Sequence, residues 1–287
     1  DITVGCNAFP YALVYPWTYA SGFGTKYADA VTNIPSSCRA STFGAADIFF
    51  GHNSNPLISA YPWSSGFGTK YSNPASLPGG AVTDIVLNSG GTDVIGSNVT
   101  GTYVVAYPWS SGFGTKYSNP ATLPTGTGNS ISYNGSDIVV AHATTPFVSA
   151  YPWSAGYGTK YSNPATLPAS TGNGASFGSS DVAIAHATTP FVSAYPWSSG
   201  FGTKYSNPGT LPTSTGQGVS IGTSDIAVGH VSSPAITAYP WSSGFGTKYS
   251  NPGTLPTTDG RRTKFADYST GGGAVFGKNI FTIQAIN

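Results

Sequence analysis

Six tryptophans punctuate the chain at positions 17, 63, 109, 153, 197 and 241, at intervals of 46, 46, 44, 44 and 44 residues. Each sits in Tyr-Pro-Trp, and each is followed by a copy of Gly-Phe-Gly-Thr-Lys-Tyr with one Phe-to-Tyr change at Tyr157. An aspartate lies 16 residues before every tryptophan: Asp1, Asp47, Asp93, Asp137, Asp181 and Asp225. Self-similarity at a period of about 20–50 residues marks a repeat architecture, in which one unit cannot bury its own apolar face and must stack on its neighbours. The repeat therefore constrains the fold more than any local pattern does.

Within the unit that runs through residues 128 to 168, short apolar runs alternate with turn chemistry. Ser130-Ile131-Ser132-Tyr133 reads as a strand, Asn134-Gly135-Ser136 turns it, and Asp137 to His142 returns as a second strand. Thr144-Thr145-Pro146 breaks the run. Phe147 to Trp153 then reads as a third strand and Tyr157 to Tyr161 as a fourth, before the Asn163-to-Pro168 segment, with two prolines, stops pairing. No helical period appears. Four short antiparallel strands in each of six units predict an all-β chain, a single domain over 1–287 built as a six-bladed β-propeller of four-stranded blades.

The chain opens at the second strand of a blade, and Gly273-Ala274-Val275-Phe276-Gly277 matches Gly174-Ala175-Ser176-Phe177-Gly178. The 274–277 segment is therefore expected to complete the first blade and close the ring. Residues 257–272 read as an irregular linker, and 279–287 as an extra C-terminal strand able to pair with Asp1 to Val4 or with a second chain, which makes self-assembly a partner expectation. The chain contains no Met and opens at Asp1 without a charged-then-apolar leader, which predicts a processed chain or a piece of a longer one.

These residues resemble the WD40-like propeller family across essentially the whole chain. The likeness lies in a short inner strand, a tight turn before Asp, an Asp-x4-His strand and an aromatic-ended strand closing in Trp. Ser or Thr follows Tyr-Pro-Trp where the family has Asp. The wording Ala-Tyr-Pro-Trp-Ser-Ser-Gly-Phe-Gly-Thr-Lys-Tyr is similar to repeats in poorly characterised bacterial and tailed-phage proteins. The resemblance implies the propeller fold; a location outside the cell, on a cell surface or on a virion, is expected from a pairing of Cys6 with Cys38. By the family's Asp and His network the resemblance also implies a structural role for Asp47, His52, Asp137, His142, Asp181, His186, Asp225 and His230.

With 11 Lys+Arg against 10 Asp+Glu and 7% charged residues, the chain lacks the concentrated positive surface that nucleic acid requires. Glycine and proline are abundant, at 38 and 22, but 14% aromatic residues supply a core that a disordered chain would lack. No run approaches the ~20 apolar residues of a membrane-spanning helix, so membrane insertion is not expected.

Chemistry is thinly represented. Glutamate is absent, no Gly-x-Ser-x-Gly elbow occurs, and Asp137 and His142 are five apart on one strand, which sends them to opposite faces. No catalytic residue, cofactor or metal is predicted, since blade-related histidines are carried apart and cannot converge on one ion. Cys6 and Cys38 form one even pair at neighbouring strand ends and are expected to be a disulfide. Asn98-Val99-Thr100 and Asn134-Gly135-Ser136 match the glycosylation acceptor pattern.

Two uses compete for the aromatic hairpin of each repeat. One is packing between blades. The other is a shallow ligand pocket per blade, from Trp63 and Lys70, Trp109 and Lys116, Trp153 and Lys160, Trp197 and Lys204, and Trp241 and Lys248. Rings beside hydroxyls and amides suit sugars, and several weak sites combine by avidity. The leading expectation is a non-enzymatic, lectin-like protein binding glycans or a cell surface multivalently. The alternative is a fibre, capsid-decoration or filament subunit with no ligand.

Overall fold

The computed structural model describes residues 1–18, 20–256, 259–261 and 263. The expected closing strand at 274–277, the strand at 279–287 and most of the 257–272 linker lie outside the described residues. Two compact units emerge, one over Asp1–Tyr117 and one beginning at Ser118. The first holds repeats one to three, the second repeats four to six.

All regular structure among the described residues is β, with no helix. The first repeat contributes β1 (Ile2–Gly5), β2 (Ala12–Tyr15), β3 (Trp17–Thr18) and β4 (Gly22–Phe23), paired as the two-stranded sheets β1-β2 and β3-β4. Each later repeat forms one three-stranded antiparallel sheet in chain order. In the first unit these are β5 (Cys38–Phe43), β6 (Asp47–His52) and β7 (Ile58–Pro62), followed by β8 (Val82–Leu87), β9 (Asp93–Asn98) and β10 (Val104–Pro108). In the second they are β11 (Gly128–Tyr133), β12 (Asp137–His142) and β13 (Val148–Pro152), then β14 (Gly172–Phe177), β15 (Asp181–His186) and β16 (Val192–Pro196), and last β17 (Gly216–Ile221), β18 (Asp225–His230) and β19 (Ile236–Pro240).

The middle strand is buried along its length, as the second strand of a sheet covered on both faces should be. Its core residues vary freely between repeats, Phe49-Phe50 in one and Val139-Val140 in another. The inner strand is irregular at its start: a register shift falls between Gly128 and Ser130, between Gly172 and Gly174, and at each equivalent place. A β-carbon on Gly172 would meet the carbonyl oxygen of Phe147 at 2.4 Å, so the chain passes there only without a side chain.

The expected fourth strand does not form. At Tyr157 and its equivalents only an isolated bridge to the tryptophan appears. In the second repeat Gly68 N donates to Pro62 O at 2.9 Å and Tyr71 N to Ala60 O at 3.0 Å, and the pattern recurs. Those donors are three residues apart, whereas a ladder needs the period of two. The segment is pinned along the sheet edge without extending the sheet, so among the described residues five three-stranded sheets in repeats two to six and two two-stranded sheets in the first stand where six four-stranded blades were expected.

Candidate functional site

The turn between the second and third strands ends on a non-glycine residue in left-handed backbone: Leu57 at φ 70°, Phe147 at 69°, Phe191 at 70° and Ala235 at 65°. For a residue with a side chain that conformation costs about 1–2 kcal/mol and must be held by its surroundings. The repeat histidine does the holding. His52 Nδ1 lies 2.8 Å from Ser54 O, and because a carbonyl only accepts, Nδ1 carries the proton. Nε2 then accepts from the Ser59 hydroxyl at 3.0 Å. His186 and His230 repeat both contacts, with Thr188 O and Ser193, and with Ser232 O and Thr237. His142 Nε2 meets Ser149 Oγ at 3.0 Å. Burial holds the rings of His52, His142 and His186 neutral, with pKa values lowered to about 4.

The tryptophans face inward. Trp63, Trp109, Trp153, Trp197 and Trp241 are between 5% and 8% exposed. Trp109 Nε1 donates to Asp47 Oδ2 at 2.9 Å, and Tyr71 OH donates to Asp47 Oδ1 at 2.8 Å. One carboxylate thus joins the tyrosine of its own repeat to the tryptophan of the next. In the first unit Asp1 also serves Trp63 at 2.9 Å; in the second Asp137 serves Tyr161 and Trp197, and Asp181 serves Tyr205 and Trp241. Each tyrosine ring meets its tryptophan edge-on, with Tyr71 and Trp109 centroids 5.0 Å apart at 88°.

Around that core sits one further tie. The tyrosine of Tyr-Pro-Trp reaches back to the preceding linker, Tyr107 OH to Ser76 O at 2.7 Å and Tyr195 OH to Thr166 O at 2.9 Å. Burial pushes the Tyr61 phenol up to about 12.

The repeat lysines are half-buried. Lys70, Lys160, Lys204 and Lys248 each donate to the asparagine three residues on, Asn73, Asn163, Asn207 and Asn251, and to the carbonyl of the following tyrosine. Lys116 holds the same place in the third repeat. In the first repeat Lys26 finds Asp29 at the same spacing, 2.5 Å away. The lysine is a brace across its own loop, and its partial burial lowers the pKa of Lys70, Lys160 and Lys204.

The cysteines correct the sequence reading. Both are free thiols. Their strands do touch, Cys38 N donating to Cys6 O at 3.2 Å, but each sulfur turns to a carbonyl of its own strand, Cys6 to Val4 O at 3.7 Å and Cys38 to Ala40 O at 3.3 Å. Of the two acceptor patterns, Asn98 is buried with Nδ2 donating to Thr100 O at 2.7 Å, while exposed Asn134 uses Oδ1 to accept from Asp137 N at 2.8 Å. Among the described residues no group of His, Cys, Asp or Glu is arranged to hold a metal.

What sequence reasoning missed is the Trp–Asp–Tyr joint itself. Its signal was the aspartate fixed 16 residues before each tryptophan, one acidic acceptor per indole donor.

No protein-family model matches the chain, and no curated protein matches it. Among solved structures it is similar to the computationally designed Ika8 protein, with 11% identity and a TM-score of 0.64 over 89% of this chain and 75% of that one. It is also similar to a chain of a Nidogen/Laminin complex, with 10% identity and a TM-score of 0.54 over 80% of this chain and 85% of that one. At such identities the likeness concerns fold alone: a β-propeller-like repeat of three-stranded antiparallel sheets.

Proposed function

We propose that this protein is a non-enzymatic structural scaffold, a repeat array whose work is to be rigid and to present a regular surface. One observation carries the reading. Nearly every side chain that recurs through the repeats is engaged in holding a repeat together or to its neighbour: aspartate, tryptophan and tyrosine in the joint, lysine in the loop and, in four of the six repeats, histidine in the turn. A ligand site built on Trp63 or its equivalents would have to displace an indole that is buried and bonded to Asp1.

Multivalent recognition is the second reading, and a different feature favours it. Ser64, Thr69 and Ser72 are exposed, and the same three residues recur in repeats two to six while buried core residues vary. Hydroxyls repeated at fixed spacing are what a polymeric glycan would meet, each site weak and the array strong. Binding of the full chain to a broad glycan array separates the two. The scaffold reading expects silence; a defined set of hits abolished by Thr69→Val and the equivalent changes would replace it with recognition.

A further inference from the structure

The joint between successive repeats has two halves, and one half stands exposed in the first repeat, the other in the sixth. In the first repeat Trp17 is 39% exposed, against 5–8% for the other five tryptophans, and its neighbour Phe23 is 56% exposed. Trp17 lies edge-on to Phe23 with centroids 4.8 Å apart, the same pairing that Trp109 makes with Phe113. Its indole is therefore in the orientation the repeat prescribes. Tyr15, the tyrosine of this Tyr-Pro-Trp, is only half-buried where Tyr61, Tyr107, Tyr151, Tyr195 and Tyr239 are fully buried.

The sixth repeat shows the reverse. Tyr249 OH donates to Asp225 Oδ1 at 2.7 Å, the contact that Tyr205 makes with Asp181. Tyr249 is nevertheless 46% exposed and Pro252 is exposed, where Tyr205 is half-buried and Pro208 buried. Asp225 Oδ2 accepts from Ser224 Oγ at 2.9 Å, as Asp137 Oδ2 accepts from Ser136 Oγ at 2.9 Å while also taking the Trp197 indole at 3.1 Å. The serine thus leaves room for the indole.

We propose that these are the two faces of a head-to-tail contact between copies of this chain, in which the first repeat of one copy seats on the sixth repeat of another. Trp17 Nε1 donates to the second copy's Asp225 Oδ2, Tyr15 OH donates to the carbonyl of its Thr254, and its Tyr249 ring stands edge-on against the indole. The occupant follows from continuity with a joint already present between consecutive repeats within each unit. It follows also from complementarity, an indole donor and aromatic edge on one face and a carboxylate with a tyrosine on the other. A contact between different faces propagates, so the product is a ring of chains or a filament. The proposal rests on the scaffold reading, to which it adds the means of assembly.

Sedimentation velocity on the full chain over a wide range of concentration tests it. The wild-type chain should grow in mass with concentration, and Trp17→Ala, at an exposed position, should weaken association roughly tenfold or more, as should Asp225→Asn. Each variant keeps one good face, so at concentrations where neither alone associates an equimolar mixture should form dimers and nothing larger. If Asp225→Asn loses its circular-dichroism signature, Tyr249→Ala, which removes an exposed ring, replaces it. Three results overturn the proposal: a wild-type monomer at every concentration, which leaves the self-closed ring expected from sequence; a mixture that does not dimerise; or loss of assembly on deleting 279–287, which assigns the contact to that segment. A silent glycan array together with a wild-type monomer would retain the scaffold reading while removing its assembly.

Discussion

The three repeats of the unit over Asp1–Tyr117 place three different residue pairs at the turn between second and third strands, whereas the three repeats beginning at Ser118 all place a histidine with a hydroxyl. In the second unit the clamp is His142, His186 or His230, and the residue seven places on is Ser149, Ser193 or Thr237; His142 makes the hydroxyl contact while its Nδ1 is buried with no partner. In the first unit the pairs are Cys6 with Leu13, His52 with Ser59 and Asn98 with Val105. Histidine occurs with a hydroxyl partner, and where the histidine is lost the hydroxyl is lost too. The two positions act as one device. Asn98 keeps half of it, Nδ2 donating to Thr100 O as a histidine Nδ1 would, while its Oδ1 is buried with no partner. The joint, by contrast, is the same in both units. Neighbouring repeats tolerate no substitute for an acid that must satisfy two donors, but a turn has several ways to be held.

The difference should be largest in acid. His142 and His186 have folded-state pKa values of about 4, below the ordinary 6.5, and His230 is lowered as well, all chiefly through burial; the first unit has His52 alone. The unfolded chain binds the extra protons, so each clamp's contribution is complete above 6.5, falls as pH drops toward 4, and changes no further below that. A shift from 6.5 to about 4 corresponds to about 3 kcal/mol per histidine, so two or three clamps should melt well before one. Hydrogen exchange followed from neutral pH to pH 4 should show strands β11 to β19 losing protection ahead of β5 to β10. Equal loss in both would break the comparison.

Removing the shared device should cost both units alike. Asp181→Ala leaves the Tyr205 hydroxyl and the buried Trp241 indole without their acceptor, and Asp47→Ala does the same to Tyr71 and Trp109. Two stranded donors, with a carboxylate lost from between them, should cost about 3 kcal/mol in urea unfolding in either unit. A loss below about 1 kcal/mol in either would mean that edge-on packing of the rings, not the carboxylate, holds the repeats together.

How much of this was legible beforehand depended on sequence separation. The second strand, Asp137–His142, was readable to the residue because a tight turn precedes it and a breaking Pro-containing turn follows. The third was read one residue too long at each end, since nothing in Phe147 announces left-handed backbone. The fourth was misread because an extended, aromatic-rich segment has the composition of a strand, while donors spaced by three are a property of the path. The tryptophans were the larger miss. The indole and its acceptor are 60 or 62 residues apart, and only a model of how repeats stack brings them together. The five nominated for ligand contact are buried, whereas Trp17, left out of that set, is the exposed one.

A smaller effect sharpens the clamp comparison. If histidine and hydroxyl are one device, Asn98→His alone should gain little, because Val105 offers its Nε2 no donor and the ring nitrogen stays buried and unpaired. Val105→Ser alone should destabilise by burying a hydroxyl with no partner. Together they should be better than the sum by about 1 kcal/mol in a double-mutant cycle on urea unfolding. Additive behaviour would show that the third repeat holds its turn by means unrelated to the pair.

The smallest expected effect lies in the first repeat, where neither histidine nor hydroxyl remains. Cys6 replaces the clamp, is partly exposed, and donates only a weak thiol bond to Val4 O, while Cys38 is 1% exposed with its sulfur turned to Ala40 O. Burial raises the Cys6 thiol above its ordinary pKa, so little thiolate exists near neutral pH and reaction is slow. Iodoacetamide on the native protein should therefore add one label, slowly and faster as pH rises, at Cys6. Denaturant should release the second at Cys38. Mass spectrometry of the intact chain and its peptides reads both steps. Two labels at equal rates in native protein would show that the inner strand at Cys38 opens readily. No label even after unfolding without reductant would mean that the two sulfurs, on strands already joined through Cys38 N and Cys6 O, are bonded to each other.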